Sequence, residues 1–373
     1  MKQKKLYIIA GEASGDLHAS NLMEALLHEN AELDFRFWGG DRMQGVHDGL
    51  VKHIRDLAFM GFLEVVANLR TIFKNIAFCK EDILAYKPDA LILVDYPGFN
   101  LRIAEWAKEQ GIPVMYYISP QVWAWKQKRV HKIKKIVDKM FVILPFEEPF
   151  YAQFNYPVEY VGHPLLDEIA KHSFSEEAIT KYKERHALDD RPIIAVLPGS
   201  RKQEVRKKLP VMMEAVKDYS DYQIVVAGAP SLDPEFYREI VSDEVKIIFN
   251  ETYRLLALSQ AAVVTSGTAT LETALFKVPE VVCYKSSGVS YAIAKRLVKV
   301  KYISLVNLIM DREVVKELIQ HECNTKAIKK ELDKILTDGA DREKMLKSYE
   351  ELETVLGGGG ASKKVAQSLL TSI

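Results

Sequence analysis

With 373 residues, 48% of them hydrophobic and 27% charged, the chain is long enough for two α/β cores and lacks the composition of a disordered protein. Fifty-one basic residues balance 51 acidic ones, which argues against a nucleic-acid binder, a class that carries a basic excess. Cys79, Cys283 and Cys323 are too far apart for a metal-ligand spacing or a disulfide framework and indicate a reducing compartment, and no apolar run approaches the ~18 residues of a membrane span.

The apolar run Leu6–Ala10 is too short for a signal-peptide core and reads as a first strand. The loop Gly11–Asp16 and an amphipathic helix to about His28 follow it. Small residues in this loop let the backbone approach a ligand, while Glu12 and Asp16 would repel phosphate, so the loop suits a sugar hydroxyl or amine. Ser14 or Asp16 acting only as a helix cap is the alternative. Across Phe59–Phe78, apolar side chains at Phe62, Val65, Val66, Leu69, Ile72, Phe73 and Ile76 keep a helical period broken by Glu64, Arg70 and Lys74. That pattern predicts a core-facing helix, with a membrane-touching lid or lipid-chain groove as the sharper reading. The strand Ala90–Val94 delivers Asp95 to a carboxyl end beside Pro97 and Gly98, ahead of Asn100 and a helix to about Gln110. A carboxylate there is either a general base or a turn cap. After the strand Val114–Ile118 comes the aromatic loop Ser119–Trp125, holding Gln121 and Trp123, whose ring faces suit sugars or acyl chains. The stretch Lys126–Lys139 reads as a basic helix through Lys126, Lys128, Arg129, Lys132, Lys134, Lys135 and Lys139: a solvated face, or a surface for anionic lipid. Met140–Leu144 and Glu159–Val161 are the next strands, and His163 is a lone histidine open to structural or catalytic use.

A second strand–helix series follows a polar, helix-prone connection over Ser173–Arg191, with strands at Ile193–Leu197, Gln223–Ala227, Val245–Ile248, Ala261–Thr265 and Glu280–Tyr284. The chain thus reads as two doubly wound α/β domains in tandem with a cleft between them, residues 1–165 and 166–356. Four glycines, Gly357–Gly360, then end the helical region that starts near Thr325 and precede a last helix, Ala361–Leu370, in a tail of residues 357–373. In the second domain, Leu197-Pro198-Gly199-Ser200-Arg201 joins a strand to a helix. Gly199 allows close approach, Ser200 offers a hydroxyl and Arg201 can fork onto phosphate, although a plain turn with a solvated arginine fits as well. Thr265-Ser266-Gly267-Thr268-Ala269-Thr270 is a second loop of this kind, with Glu272 placed for ribose hydroxyls or for the helix dipole. Two such loops in one domain indicate a nucleotide diphosphate. Neither loop is a P-loop or G-x-G-x-x-G, which disfavours ATP hydrolysis and hydride transfer. No His/Cys/Asp cluster has metal spacing, so neither a metal nor a cofactor is expected.

Taken in order, Ala10–Asp16 with Leu17-His18, Asp95–Asn100, Ser119-Pro120-Gln121-Val122-Trp123-Ala124-Trp125, Leu144–Glu147, Gly162-His163-Pro164, Leu197–Arg201 and Ser266–Glu272 closely resemble the lipid-A-disaccharide synthases, from the first strand to about Gln320. The resemblance implies two Rossmann-like domains facing across a cleft, the GT-B arrangement. It also implies metal-free, inverting transfer from UDP-2,3-diacylglucosamine to 2,3-diacylglucosamine 1-phosphate, giving a β-1,6 disaccharide and UDP in lipid A (lipopolysaccharide) biosynthesis. Peripheral attachment to an anionic membrane, on the cytoplasmic face of the inner membrane, is implied as well. It places Asp95 as the base, Arg201 and Ser266–Thr270 on the UDP diphosphate and Asn307 near the cleft; the loops themselves add Glu12 as a competing base, Ser14, Asp16, Asn100, Ser119, Gln121 and Trp123 as candidates around the substrate, and Gly199, Ser200 and Glu272 on UDP. Val306 stands where proline is expected, and Gly98 where some members carry an acid. A UDP-sugar 2-epimerase and a non-catalytic UDP-sugar-binding protein are the alternative readings, and oligomeric state, a homodimer included, is left open.

Overall fold

The structure, a computed structural model, describes residues 3–57, 69–172, 174–286, 291 and 300–373. The chain divides into two compact units, Met1–Asp167 with Gly359–Ile373, and Glu168–Gly358. In the first, β1 (Lys5–Ala10), β2 (Asp34–Gly39), β3 (Leu50–His53), β4 (Ala90–Val94), β5 (Val114–Tyr117), β6 (Lys139–Val142) and β7 (Glu159–Tyr160) form a sheet in the order β3-β2-β1-β4-β5-β6-β7. In the second, β8 (Ile193–Leu197), β9 (Gln223–Gly228), β10 (Lys246–Phe249), β11 (Ser259–Thr265), β12 (Glu280–Tyr284) and β13 (Lys316–Ile319) run β10-β9-β8-β11-β12-β13. Among the described residues all pairings in both sheets are parallel. Parallel strands carry helices on both faces, and β4 and β8 accordingly are apolar and buried along their whole length.

This order has a consequence for function. Successive strands step outward from β1 in one direction, then β4 restarts on its other side, and β11 does the same beside β8. At such reversals the connecting helices lie on opposite faces and leave a crevice at the strands' carboxyl ends. The loops there are those after β1 and β4, and after β8 and β11.

Sequence reading missed β2, β3 and β13. Charged Asp34 and Arg36 interrupt β2, but Arg36 forks onto buried Asp82, its Nε lying 2.8 Å from Oδ2, so its alternate residues Phe35 and Phe37 still pack inward. The helix expected after Asn100 begins at Pro97, a first-turn position that proline's fixed φ favours. The basic helix is shorter than expected, Val130–Ile136 behind a 3-10 turn Gln127–Arg129, and Lys139 belongs to β6. Within Phe59–Phe78, positions 62, 65 and 66 lie outside the described residues. The helix Leu69–Tyr86 buries Ile76 and exposes Phe73 and Phe78.

The last helix, Ala361–Leu370, packs against the helix Ala13–Glu29 of the first unit and buries Ala361, Val365, Ala366 and Leu369. Gly357, Gly358 and Gly360 all have left-handed φ (76°, 74° and 90°), which explains the glycine run. The Asp167 carboxylate accepts hydrogen bonds from the amides of Gly360 and Ser362 and so caps that helix.

Candidate active site

At the first reversal the backbone leaves β4 through two consecutive left-handed residues, Asp95 (φ 44°) and Tyr96 (φ 48°). Each such non-glycine position costs about 1–3 kcal/mol, and the surroundings hold both. Tyr116 Oη and Asn100 Nδ2 donate to the Asp95 carbonyl at 2.6 and 2.8 Å, and the Tyr96 ring lies where any Cβ on Gly11 would be, 2.3 Å away. Glycine is therefore required after β1. The turn leaves the Asp95 carboxyl half-buried near Glu12. Burial, and then the like charge of Glu12, push it up to about 6, against a smaller pull from the Tyr96 amide. Asp95 and Glu12 are thus brought together as a pair of carboxylates, and Asp95 keeps its proton to a higher pH than an ordinary carboxyl while ionising below neutrality.

The other residues expected at this site divide. Ser14 is exposed in the first helical turn and is open to a ligand. Asp16 is not. Its carboxylate accepts from the amides of Gly40 (2.6 Å), Arg42 (3.2 Å) and Met43 (3.2 Å), capping the helix Asp41–Val46 rather than its own. Asn100 is fully buried, and its amide donates to the carbonyls of Val94 (3.2 Å) and Asp95, so it braces the corner instead of facing substrate. Ser119 is buried too, 2.7 Å from Tyr151 Oη, and Trp123 packs edge-on against Phe146. In the aromatic loop it is Gln121 and Trp125 that are exposed, the Trp125 ring lying under Lys126 Nζ at 4.2 Å. His163 is buried, accepts from the Leu165 amide at 3.2 Å, and is lowered to about 3 by burial and by His18, which makes it a neutral structural group.

At the second reversal the two glycine loops converge. A Cβ on Gly199 (φ 107°) would lie 3.5 Å from Thr265 Cγ2 and 2.9 Å from Glu204 Oε2. Thr265 is 5% exposed, and its hydroxyl has no hydrogen-bond partner. Ser200 and Arg201 are exposed, Arg201 at the cap position of the helix Lys202–Val216. Gly267 and Thr268 are exposed at the start of the helix Thr268–Leu275, with Ala269 half-buried behind them. An eight-residue helix beginning at an exposed glycine presents its first-turn amides and positive dipole end outward. Two hydroxyls expected to help turn inward instead: Ser266 donates to the Ile303 carbonyl (2.8 Å) and Thr270 to that of Gly267 (2.8 Å). Glu272 accepts from Tyr253 Oη at 2.9 Å, and burial and nearby Glu168 raise its pKa. Asn307 is structural. Its Nδ2 donates to the Val315 carbonyl and to Glu317 (both 2.9 Å), and its Oδ1 accepts from the amides of Val314 and Val315. Among the described residues no group of three or more His, Cys, Asp or Glu side chains could hold a metal ion.

The sequence model of the family described as lipid-A-disaccharide synthetase matches residues 6–369. The chain belongs to that family. A lipid-A-disaccharide synthase of Syntrophus aciditrophicus is 40% identical over 381 residues, covering 100% of this chain and 99% of its own. One from Geobacter metallireducens is 38% identical over 375 residues, covering 98% and 97%. Among solved structures, the UDP-GlcNAc 2-epimerase of Neisseria meningitidis bound to UDP-GlcNAc superposes with a TM-score of 0.66 at 14% identity, covering 98% of this chain and 100% of that one; the likeness is one of fold.

Sequence reading did not single out Glu204, Lys208 or Glu317, and named Thr265 only as the first residue of its loop. In this family member Glu317 gathers the amides of Ile303 and Ser304, the Ser304 hydroxyl and Asn307, and so supports the carbonyl that Ser266 binds. The four-residue step from Glu204 to Lys208 was a legible helical pairing. The Glu317 network joins residues 10, 13 and 14 apart in sequence, and no local pattern signals it.

Proposed function

We propose that the protein transfers 2,3-diacylglucosamine from its UDP derivative to the 6-hydroxyl of 2,3-diacylglucosamine 1-phosphate, with inversion, giving a β-1,6 disaccharide phosphate and UDP for lipid A. The observation that carries this reading is the convergence of Gly199–Arg201 and Ser266–Thr270 around the unpartnered Thr265 hydroxyl at one strand-order reversal. Loop amides, the Thr268–Leu275 helix end and Arg201 form a donor set suited to a pyrophosphate. UDP is the leaving group, so negative charge grows on its β-phosphate as the bond to the anomeric carbon breaks, and donors fixed beforehand stabilise that charge. Asp95, whose pKa burial and Glu12 push up to about 6, is an ionised but strengthened base at neutral pH and suits removal of the acceptor's hydroxyl proton as that oxygen attacks. With its carboxylate turned toward Tyr253, Glu272 is the remaining group for the ribose hydroxyls.

The acyl chains call for a membrane surface, and Trp125 with Lys126 and Arg129 stacked over its ring is the patch we assign to anionic lipid on the cytoplasmic face of the inner membrane. Among the described residues no helix is long and apolar enough to cross a membrane.

The decisive experiment is incubation with both diacylated substrates and mass spectrometry for the tetra-acylated disaccharide phosphate. Turnover of UDP-GlcNAc to its 2-epimer without an acceptor would overturn the transferase reading. In a UDP titration, Arg201→Ala should weaken binding about tenfold or more, and equal affinity would remove Arg201 from the diphosphate site. Trp125→Ala with Lys126→Ala and Arg129→Ala should reduce co-sedimentation with phosphatidylglycerol vesicles, and unchanged sedimentation would make this patch an ordinary solvated face.

A further inference from the structure

Beside the glycine loops of the second unit, the helix Lys202–Val216 and its cap residue Arg201 set three charges, Arg201, Glu204 and Lys208, about one turn apart. Arg201 Nη1 lies 3.4 Å from Glu204 Oε1, and Lys208 Nζ lies 3.5 Å from Glu204 Oε2. Their environments differ: the Arg201 side chain is 61% exposed, that of Glu204 34%, and that of Lys208 only 2%. Glu204 Oε2 is also the atom 2.9 Å from where a Cβ on Gly199 would stand, so a carboxylate abuts the loop assigned to pyrophosphate. An acid in that place repels an incoming anion unless its charge is cancelled nearby. The burial of Lys208 is unusual, because a lysine is rarely taken fully out of water and an apolar side chain of similar length would pack there without the desolvation penalty. Burial lowers its pKa while Glu204 raises it first and most, and beyond Glu204 it faces Cys283 and Cys323, the latter thiol lowered to about 7 by its hydrogen bond with Cys283 and by nearby lysines.

We propose that Lys208 is a positioning residue for the pyrophosphate: its buried positive charge cancels that of Glu204, so the carboxylate can anchor Arg201 without repelling the ligand. The proposal rests on the diphosphate reading of these loops and adds to it a residue that need not touch the ligand. Arg201, Glu204 and Lys208 together carry one net positive charge. Removing the lysine takes the group to zero, removing the acid takes it to two, and removing both restores one.

The test is calorimetric titration of UDP into four full-length proteins at low and at high salt. Relative to the native chain, Lys208→Met should bind about tenfold more weakly, Glu204→Gln severalfold more tightly, and the double variant within about twofold. The spread should shrink in high salt, which a purely structural effect would not reproduce. Native-like affinity in Lys208→Met, or a double variant no better than Lys208→Met alone, overturns the proposal while leaving the pyrophosphate site intact. If Lys208→Met is not recovered folded, Glu204→Gln decides, and weaker binding than native overturns it. A native chain that binds no UDP removes the pyrophosphate reading and this proposal with it.

Discussion

Asp95 combines strain, burial and a like-charged neighbour in one residue. Asp95→Asn should lower turnover by about 10²–10⁴-fold with little change in UDP affinity, read from steady-state kinetics beside a titration. Because the carboxyl titrates at about 6, kcat/KM should fall as pH drops below that value. Glu12→Gln removes the repelling charge, lowers the Asp95 pKa, and should move the acidic limb to lower pH; a limb that stays in place would separate Glu12 from Asp95. The sign for stability runs the other way. A carboxyl whose folded pKa lies above its unfolded value favours the folded state at low pH and loses that contribution as pH rises through the folded value. Asp95→Asn should therefore be more stable than the native chain at pH 8, by up to about 3 kcal/mol, with the advantage fading towards pH 4. Equal urea midpoints at pH 8 would contradict it. That an acid stands at a strand's carboxyl end was legible in the sequence. Its left-handed backbone was not, since nothing in Asp-Tyr-Pro announces two positive φ angles imposed by Asn100 and Tyr116.

Among the elements, the strands that could be read were the fully apolar ones, such as β4 and β8, where burial on both faces leaves one unbroken signal. β13, Lys316–Ile319, stayed hidden because Glu317 looks like a surface residue and instead ties its strand to the segment 303–307. The same limit affected the loops: Asp16, Asn100 and Asn307 carry the polar groups expected of ligand contacts, but they are taken up by backbone groups and, for Asn307, by the Glu317 carboxylate as well. Asp16→Ala should destabilise the first unit by about 2 kcal/mol, because the amides of Gly40 and Met43 lose their acceptor. Ser14→Ala, on an exposed side chain, should change stability by less than about 0.5 kcal/mol. Chemical denaturation of the two variants compares them directly, and similar midpoints would rule out the capping role.

For the whole molecule, two parallel sheets were legible from the alternation of apolar runs and helical periods. The place of the last helix was not. Ala361–Leu370 returns to the first unit after the whole second unit has been laid down, and its destination depends on a surface more than 300 residues away in sequence. A chain ending at Gly358 should lose that cover, and Asp167 would lose the amides it caps. Its first unit should unfold at a lower temperature than the intact chain's, in a calorimetric scan resolving two transitions; unchanged melting would mean the helix is ornamental.

The docking of Ala361–Leu370 also sets an order of events during synthesis. The helix Ala13–Glu29 is synthesised before the second unit, yet part of its apolar face has nothing to lie against until residues 359–373 emerge. The second unit, contiguous from Glu168 to Gly358, can close on itself first, so that helix waits for residues 359–373 with part of its surface uncovered.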